Sequence, residues 1–284
     1  ERVVVDSPTY PGALSAIATV RARAVPVALD TGWDLDAWAV AVRRARPRVA
    51  YLVPDFHNPT GLLMPTAQRE ELARLLREAG CVTVIDETVA ELDFGEAGPE
   101  RPFAAVDDDV VCIGSTSKVL WGGFRIGWLR CPEQHVDAFR RQAGSLSLGP
   151  SALDQLVVTT FLENPAPVRD AVVDRLRRAR TAWQTSLADR LPDWRVPNPA
   201  GGLSLWVTLP SRLSTELALA GREHGIAVAP GPTFSPDHTH TNRVRLPLTL
   251  PLEVIDEATQ RLAAAWATAQ DGRRATEKVS ALAL

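Results

Sequence analysis

From Val3 to Leu129 the sequence alternates short apolar runs with amphipathic segments, and this rhythm admits few folds. Residues 3–5, 24–29, 49–53, 82–85, 110–113 and 126–129 read as strands, and their nearly continuous apolar character suits strands covered on both faces. Between them, residues 13–21, 35–44 and 66–79 carry helical patterning. The last has Glu and Arg on its wet face and is stopped by Gly80. Buried strands joined by helical crossovers predict an α/β domain with a mostly parallel sheet. Ligands of such sheets lie outside the carboxyl ends of the strands. Tyr10, Asn58, Asp86 and the stretch from Ser115 to Lys118 all fall just after predicted strands, so one sheet edge can present them together.

Beyond Pro132 the pattern changes to long helices at residues 133–145, 151–162 and 168–191. A second α/β segment follows Gly201-Gly202, with strands at 203–209, 226–229 and 244–246 and helices at 215–224 and 252–269. We expect a large domain over residues 1–160, a smaller α/β domain over 161–272 and a polar tail at 273–284. The chain has 284 residues and a net charge of −3, which gives no sign of a nucleic-acid-binding surface. Cys81, Cys112 and Cys131 have no CxxC spacing and read as reduced, mostly buried residues. His238 and His240 lie in a Pro/Asp/Thr-rich loop, and the histidines form no convincing zinc pattern. No apolar run reaches membrane-spanning length and no cleavable signal is visible, so a cytoplasmic protein is expected. The first residue is Glu, and the chain opens directly on a strand. We therefore expect a natural N-terminal portion ahead of it.

The chemistry concentrates at Ser115-Thr116-Ser117-Lys118, followed by Trp121-Gly122-Gly123-Phe124-Arg125-Ile126-Gly127. One lysine after two hydroxyls, ahead of a glycine-rich turn that delivers an arginine, suits an aldehyde bearing a phosphate. The amine can condense to a Schiff base, while Ser115, Ser117 and Arg125 offer donors to phosphate oxygens. Alone, Ser-x-Ser-Lys reads as a solvated loop. Asn58-Pro59-Thr60-Gly61 alone reads as a turn, and Asp86, ending residues 82–86, as a strand-end helix cap. Tyr10, within Ser7-Pro8-Thr9-Tyr10-Pro11-Gly12, can pack a strand-to-helix corner. Arg243 and Arg245 lie one strand period apart on one face and can be surface strand residues.

Together these segments resemble the motifs of fold-type I pyridoxal 5′-phosphate (PLP) enzymes of the class I/II aminotransferase superfamily, over residues 2 to 270. The segment from Ser115 to Gly127 is most similar to the aminotransferase-like domain of GntR/MocR-type bacterial regulators. The resemblance implies a PLP-binding large domain and a smaller C-terminal domain, with Lys118 as the Schiff-base lysine and Asp86 paired with the pyridine nitrogen. It implies that Asn58 donates to the phenolic oxygen and Tyr10 stacks on the ring. Ser115, Ser117 and Arg125 would hold the phosphate, and Arg245 the α-carboxylate of an amino acid. It also implies a homodimer, and an N-terminal phosphate-binding turn that is missing here. Where the family commonly places a tyrosine two or three residues after the aspartate, this sequence has Thr88 and Val89. Two functions follow as expectations. One is the sensing domain of a transcriptional regulator, forming an aldimine with an amino acid or amine to control DNA binding by a domain outside this chain. The other is a stand-alone aminotransferase passing amino groups between an amino acid and a 2-oxo acid.

Overall fold

The computed structural model describes residues 1–96, 98, 100–147 and 149–282. They fall into two compact units, Glu1–Asp174 with Ala200–Gly202, and Arg175–Pro199 with Leu203–Leu284. The first unit begins β1 (Arg2–Ser7), α1 (Pro11–Thr19), β2 (Arg23–Ala28), α2 (Leu35–Ala45), β3 (Val49–Leu52), α3 (Thr66–Glu78) and β4 (Val82–Asp86). It continues with α4 (Phe103–Val106), β5 (Val111–Ser115), β6 (Gly127–Arg130), α5 (Glu133–Leu146), α6 (Ala152–Glu163) and the start of α7 (Ala166–Arg190). The six strands form one sheet in the order β2-β1-β3-β4-β5-β6. The first five are mutually parallel, as the crossover rhythm predicts, and β6 returns antiparallel to β5. Nothing in the apolar run at 126–129 signals that reversal. It follows from the short turn after β5, because a parallel neighbour needs a crossover of a dozen or more residues, usually helical.

One face of the sheet is closed by α2, α3 and α4. Val4, Leu52 and Ile85 from the strands meet Trp38, Leu72 and Phe103, all with no exposed surface. Each such side chain contributes about 1.5–3 kcal/mol by leaving water. The Asp34 carboxylate caps α2 by accepting the Ala37 N–H at 3.0 Å, and α2 ends on Arg46 in the left-handed region. Helix α3 stops as expected, with Gly80 at φ +64°.

One arginine of α3 departs from the expected wet face. Arg69 is fully buried and donates to Met64 O at 2.9 Å, Arg101 O at 3.1 Å and Asp55 Oδ1 at 2.7 Å. Helical periodicity reports a direction, not the presence of a buried acid waiting there. The carboxylate of Asp55 makes the burial tolerable, and the pair fastens the segment leading to Asn58 onto α3.

The second unit holds the rest of α7, then β7 (Ser204–Thr208), α8 (Ser214–Glu223), β8 (Ala229–Pro230), β9 (Arg243–Pro247) and α9 (Ile255–Leu282). Its sheet is antiparallel, in the order β7-β9-β8. Trp183 donates its indole N–H to Pro247 O at 3.0 Å, and Trp194 meets Trp266 edge-on with ring centroids 5.5 Å apart. The strand expected at 226–229 shrinks to Ala229–Pro230, where Pro230 has no N–H to extend the ladder. Helix α9 starts at Ile255, after one 3₁₀ turn, and continues through the polar composition beyond Gln270. Among the described residues no helix is long and apolar enough to cross a membrane.

Candidate functional site

Strands β1, β3, β4 and β5 are adjacent and parallel, so their carboxyl ends share one rim. Tyr10 follows β1, Asn58 follows β3, Asp86 ends β4, and the turn from Ser115 to Lys118 leaves β5. Sheet topology thus brings together residues separated by more than one hundred positions. Arg245 belongs to the other unit. On β9 it lies with Arg243 on one face, while Val244 and Leu246 are buried on the other.

Asp86 is the best-held member. Its Oδ1 accepts the Thr88 N–H at 3.0 Å, and its Oδ2 accepts the Tyr51 hydroxyl at 2.6 Å. The carboxylate is 9% exposed and has no ion-pair partner among the described residues. Its hydrogen bond to Thr88 closes a local turn, and among the described residues no helix starts there for it to cap. Thr88 thereby contributes its backbone to the aspartate, and neighbouring Val89 is buried.

Beside it, Tyr10 is about half exposed, and its ring lies across Gly12 at the start of α1. A Cβ at Gly12 would lie 2.5 Å from that ring, so any larger residue there would push the Tyr10 ring aside. The Asn58 loop is backed by Phe56, which packs under Gly201 and Gly202. A Cβ on Gly201 would lie 2.4 Å from the Phe56 ring, and Gly202 has φ +92°. The side-chain Oδ1 of Asn58 is buried without a hydrogen-bond partner.

At the lysine turn, Thr116 is buried. Both its backbone N–H, at 3.2 Å, and its hydroxyl, at 3.0 Å, donate to Ile126 O. These bonds close the loop between β5 and β6 and keep Lys118 and Arg125 on one short excursion. Ser115 Oγ accepts the Ser117 N–H at 3.1 Å, which leaves the Ser115 hydroxyl proton able to donate elsewhere. Lys118 and Arg125 are exposed, and Arg125 takes a left-handed backbone at φ +54°. An open groove of about 690 Å³ along β2 and α2 contains none of these residues.

A second buried layer has no signature in the sequence. Asp6 and His57 are both buried, with His57 Nε2 3.6 Å from Asp6 Oδ2. His57 Nδ1 is 3.0 Å from Thr60 Oγ1, and Trp33 meets the imidazole edge-on at 6.0 Å. Burial pushes the Asp6 carboxyl well above its usual range and the His57 imidazole down to about 3. Both shifts favour the uncharged forms. For Asp6 the raised carboxyl makes folding take up a proton, so its contribution to stability is full below the ordinary value of 3.8 and is lost as pH rises through the folded one. Urea unfolding at rising pH should therefore show a steeper loss of stability in the protein than in Asp6→Asn, and parallel slopes for the two would refute the assignment. Cys81 and Cys112 are inert thiols, pushed by burial to about 11 and about 12.

A parallel sheet of this order, with a lysine turn, a nearly buried acid, an Asn-Pro loop and an aromatic ring along one rim, defines a fold-type I PLP domain, and its cofactor is pyridoxal 5′-phosphate. The chain belongs to the aminotransferase class I and II family, whose model matches residues 1–262. It is 33% identical over 269 residues to the 2-aminoadipate transaminase of Thermus thermophilus, covering 92% of this chain and 68% of that protein. It is 32% identical over 243 residues to the HTH-type transcriptional regulator YdcR of Escherichia coli, covering 82% of this chain and 51% of that one. Among solved structures, the Thermus thermophilus α-aminoadipate aminotransferase LysN, complexed with N-(5′-phosphopyridoxyl)-L-leucine, superposes with a TM-score of 0.88. Its identity is 30%, over 95% of this chain and 72% of that one. The chain thus spans about two thirds of the transaminase and about half of the regulator.

The residues present fit the cofactor. Asp86 offers a desolvated carboxylate without a cation, Asn58 an orphaned amide oxygen beside its amide donors, and Lys118 an exposed amine. Tyr51, Thr116 and the Asp6–His57 pair are the residues that motif reading missed. Tyr51 alone left a trace, as one of only two tyrosines in the chain.

Proposed function

We propose that this chain is the PLP-binding, amine-sensing domain of a GntR/MocR-type transcriptional regulator, acting on DNA through a domain outside these residues. The observation that carries this reading is local. The turn after Asp86 supplies a backbone N–H from Thr88 and a buried Val89, and no phenol. Similarity to YdcR, and to the Bacillus subtilis HTH-type regulators YisV and YdfD, supports it.

When bound, PLP supplies an electron sink that loosens the hydrogen on the α carbon of an amine joined to it. The chain's own groups divide the remaining work. The Lys118 amine would hold the aldehyde carbon and, when free, could take up and return the α proton. Asp86 keeps a proton at the ring nitrogen by opposite-charge attraction. Asn58 donates to the phenolic oxygen, and the Tyr10 ring covers one face. Ser115, Ser117 and Arg125 hold the phosphate, and Arg245 grips an amino acid carboxylate through its planar fork. A homodimer is part of the proposal. Trp121, Trp128, Leu146, Leu153 and Leu156 are each more than half exposed, a density of apolar surface that suits an interface. A cytoplasmic location follows from a regulatory role on DNA.

A second reading, a stand-alone aminotransferase, is favoured by the identity to the Thermus transaminase and by the lysine, aspartate and asparagine motifs of this chain. The full-length gene product separates them. With PLP and a panel of amino acids and amines, a regulator should show a saturable change in affinity for its own upstream DNA, with less than one equivalent of 2-oxo acid formed per chain in an hour. Many turnovers with added 2-oxo acid, and no DNA binding, would establish the enzyme instead.

A further inference from the structure

The sheet register places Tyr51 opposite Val84 on the neighbouring strand β4. Asp86 lies two residues beyond Val84, on the same face by the two-residue period of a strand. Tyr51 and Asp86 are therefore diagonal neighbours, at a separation a tyrosine side chain can span. It does so, and its hydroxyl lies 2.6 Å from Asp86 Oδ2, within the range of a charge-assisted O–H···O⁻ bond. The phenol is 8% exposed on a strand buried at its centre, so the contact does not depend on a mobile surface side chain.

We propose that Tyr51 is a positioning residue that acts on the cofactor through Asp86, fixing the carboxylate and weakening its hold on the proton it shares with the pyridine nitrogen. This rests on the assignment of Asp86 to that nitrogen. An ionised carboxylate has about four lone-pair directions. The Thr88 N–H takes one on Oδ1 and the Tyr51 hydroxyl one on Oδ2. Each oxygen keeps one direction for a further donor, and two fixed partners leave the group no freedom to rotate away. The effect on the proton follows from the sign of the bond. A donor stabilises the carboxylate over the carboxylic acid, so a proton between Asp86 and a ring nitrogen is held more by the nitrogen. A ring that keeps its proton is the better electron sink. Tyr51 meets the requirement of always donating. Burial first, then the Asp86 carboxylate, raise its pKa well above the usual phenol value, so it remains protonated across the working pH range.

The test uses the full-length protein loaded with PLP labelled with ¹⁵N at the pyridine nitrogen, read by NMR from pH 6 to 9. Tyr51→Phe removes one oxygen and preserves the ring. At fixed pH its ¹⁵N signal should move from the protonated toward the neutral pyridine position as the shared proton shifts to Asp86, a roughly tenfold change in the ratio of the two placements. The rate of α-proton exchange in a bound amino acid should fall by roughly tenfold, with little change in the concentration giving half-saturation. Incorporation of 3-fluorotyrosine at position 51 keeps the packing and strengthens the donor, and it should shift the nitrogen in the opposite direction. Asp86→Asn separates the two layers of the argument. If the nitrogen responds to Asp86→Asn but to neither change at Tyr51, the role of Tyr51 is overturned. If it does not respond to Asp86→Asn, the assignment of Asp86 itself fails. A lower rate in Tyr51→Phe with an unchanged nitrogen signal would mean that Tyr51 only packs the strand, and it too overturns the proposal.

Discussion

Replacing Lys118 with alanine is expected to abolish covalent attachment of the cofactor. These 284 residues contain only two lysines, Lys118 and Lys278, so within them the outcome is easy to read. Borohydride reduction of the PLP-loaded full-length protein, followed by peptide mapping, should place all of the label on the peptide containing Lys118. Lys118→Ala should carry none and should lose its cofactor on dialysis. Any α-proton exchange should fall on the order of 10³-fold or more, because the variant lacks both the attachment point and the positioned base. Folding should be little affected, since Lys118 is exposed and the turn is held by Thr116 on Ile126 O and by Ser115 on the Ser117 N–H. Label on any other lysine instead would refute the site.

Asp86→Ala should be nearly as severe in chemistry while sparing part of the binding. The phosphate and ring contacts proposed for Ser115, Ser117, Arg125 and Tyr10 remain, so PLP should still be taken up. Without a carboxylate the ring nitrogen has no charge to keep its proton, and α-proton exchange should fall on the order of 10³-fold, about 4 kcal/mol of barrier. The variant also leaves the Thr88 N–H and the buried Tyr51 hydroxyl without their acceptor, and an unpaired buried donor costs about 1–3 kcal/mol. Thermal unfolding of Asp86→Ala beside Asp86→Asn separates this structural loss from the chemical one. Asn retains an acceptor but not the charge, so it should recover stability without recovering exchange. Normal exchange in Asp86→Ala would remove Asp86 from the site.

Much of the fold and of the candidate site is legible in the order of residues. Apolar runs separated by capped amphipathic segments specify an α/β unit with a mostly parallel sheet, because few other folds bury such strands on both faces. Lys118, Asn58, Asp86 and Tyr10 stand out by their motifs, and their placement after strands predicts a common rim, which the order β1-β3-β4-β5 supplies. The burial of Arg69 is illegible for a definite reason. Its position on α3 marks it as an ordinary helical arginine, and only the approach of Asp55 makes its burial favourable.

The division between the two sources follows from what each property depends on. The identity of most strands and helices, and the turn character of the Asn58 and Lys118 segments, depend on neighbours in the chain, and sequence alone determined them. The reversal of β6, the buried Asp6–His57 pair and the hold of Tyr51 on Asp86 depend on register between strands distant in sequence. A shift of one residue in the pairing of β3 with β4 would turn Tyr51 to the other face of the sheet. The contact exists because burying β3 and β4 between covering layers permits only one register, and that choice belongs to the packed core as a whole.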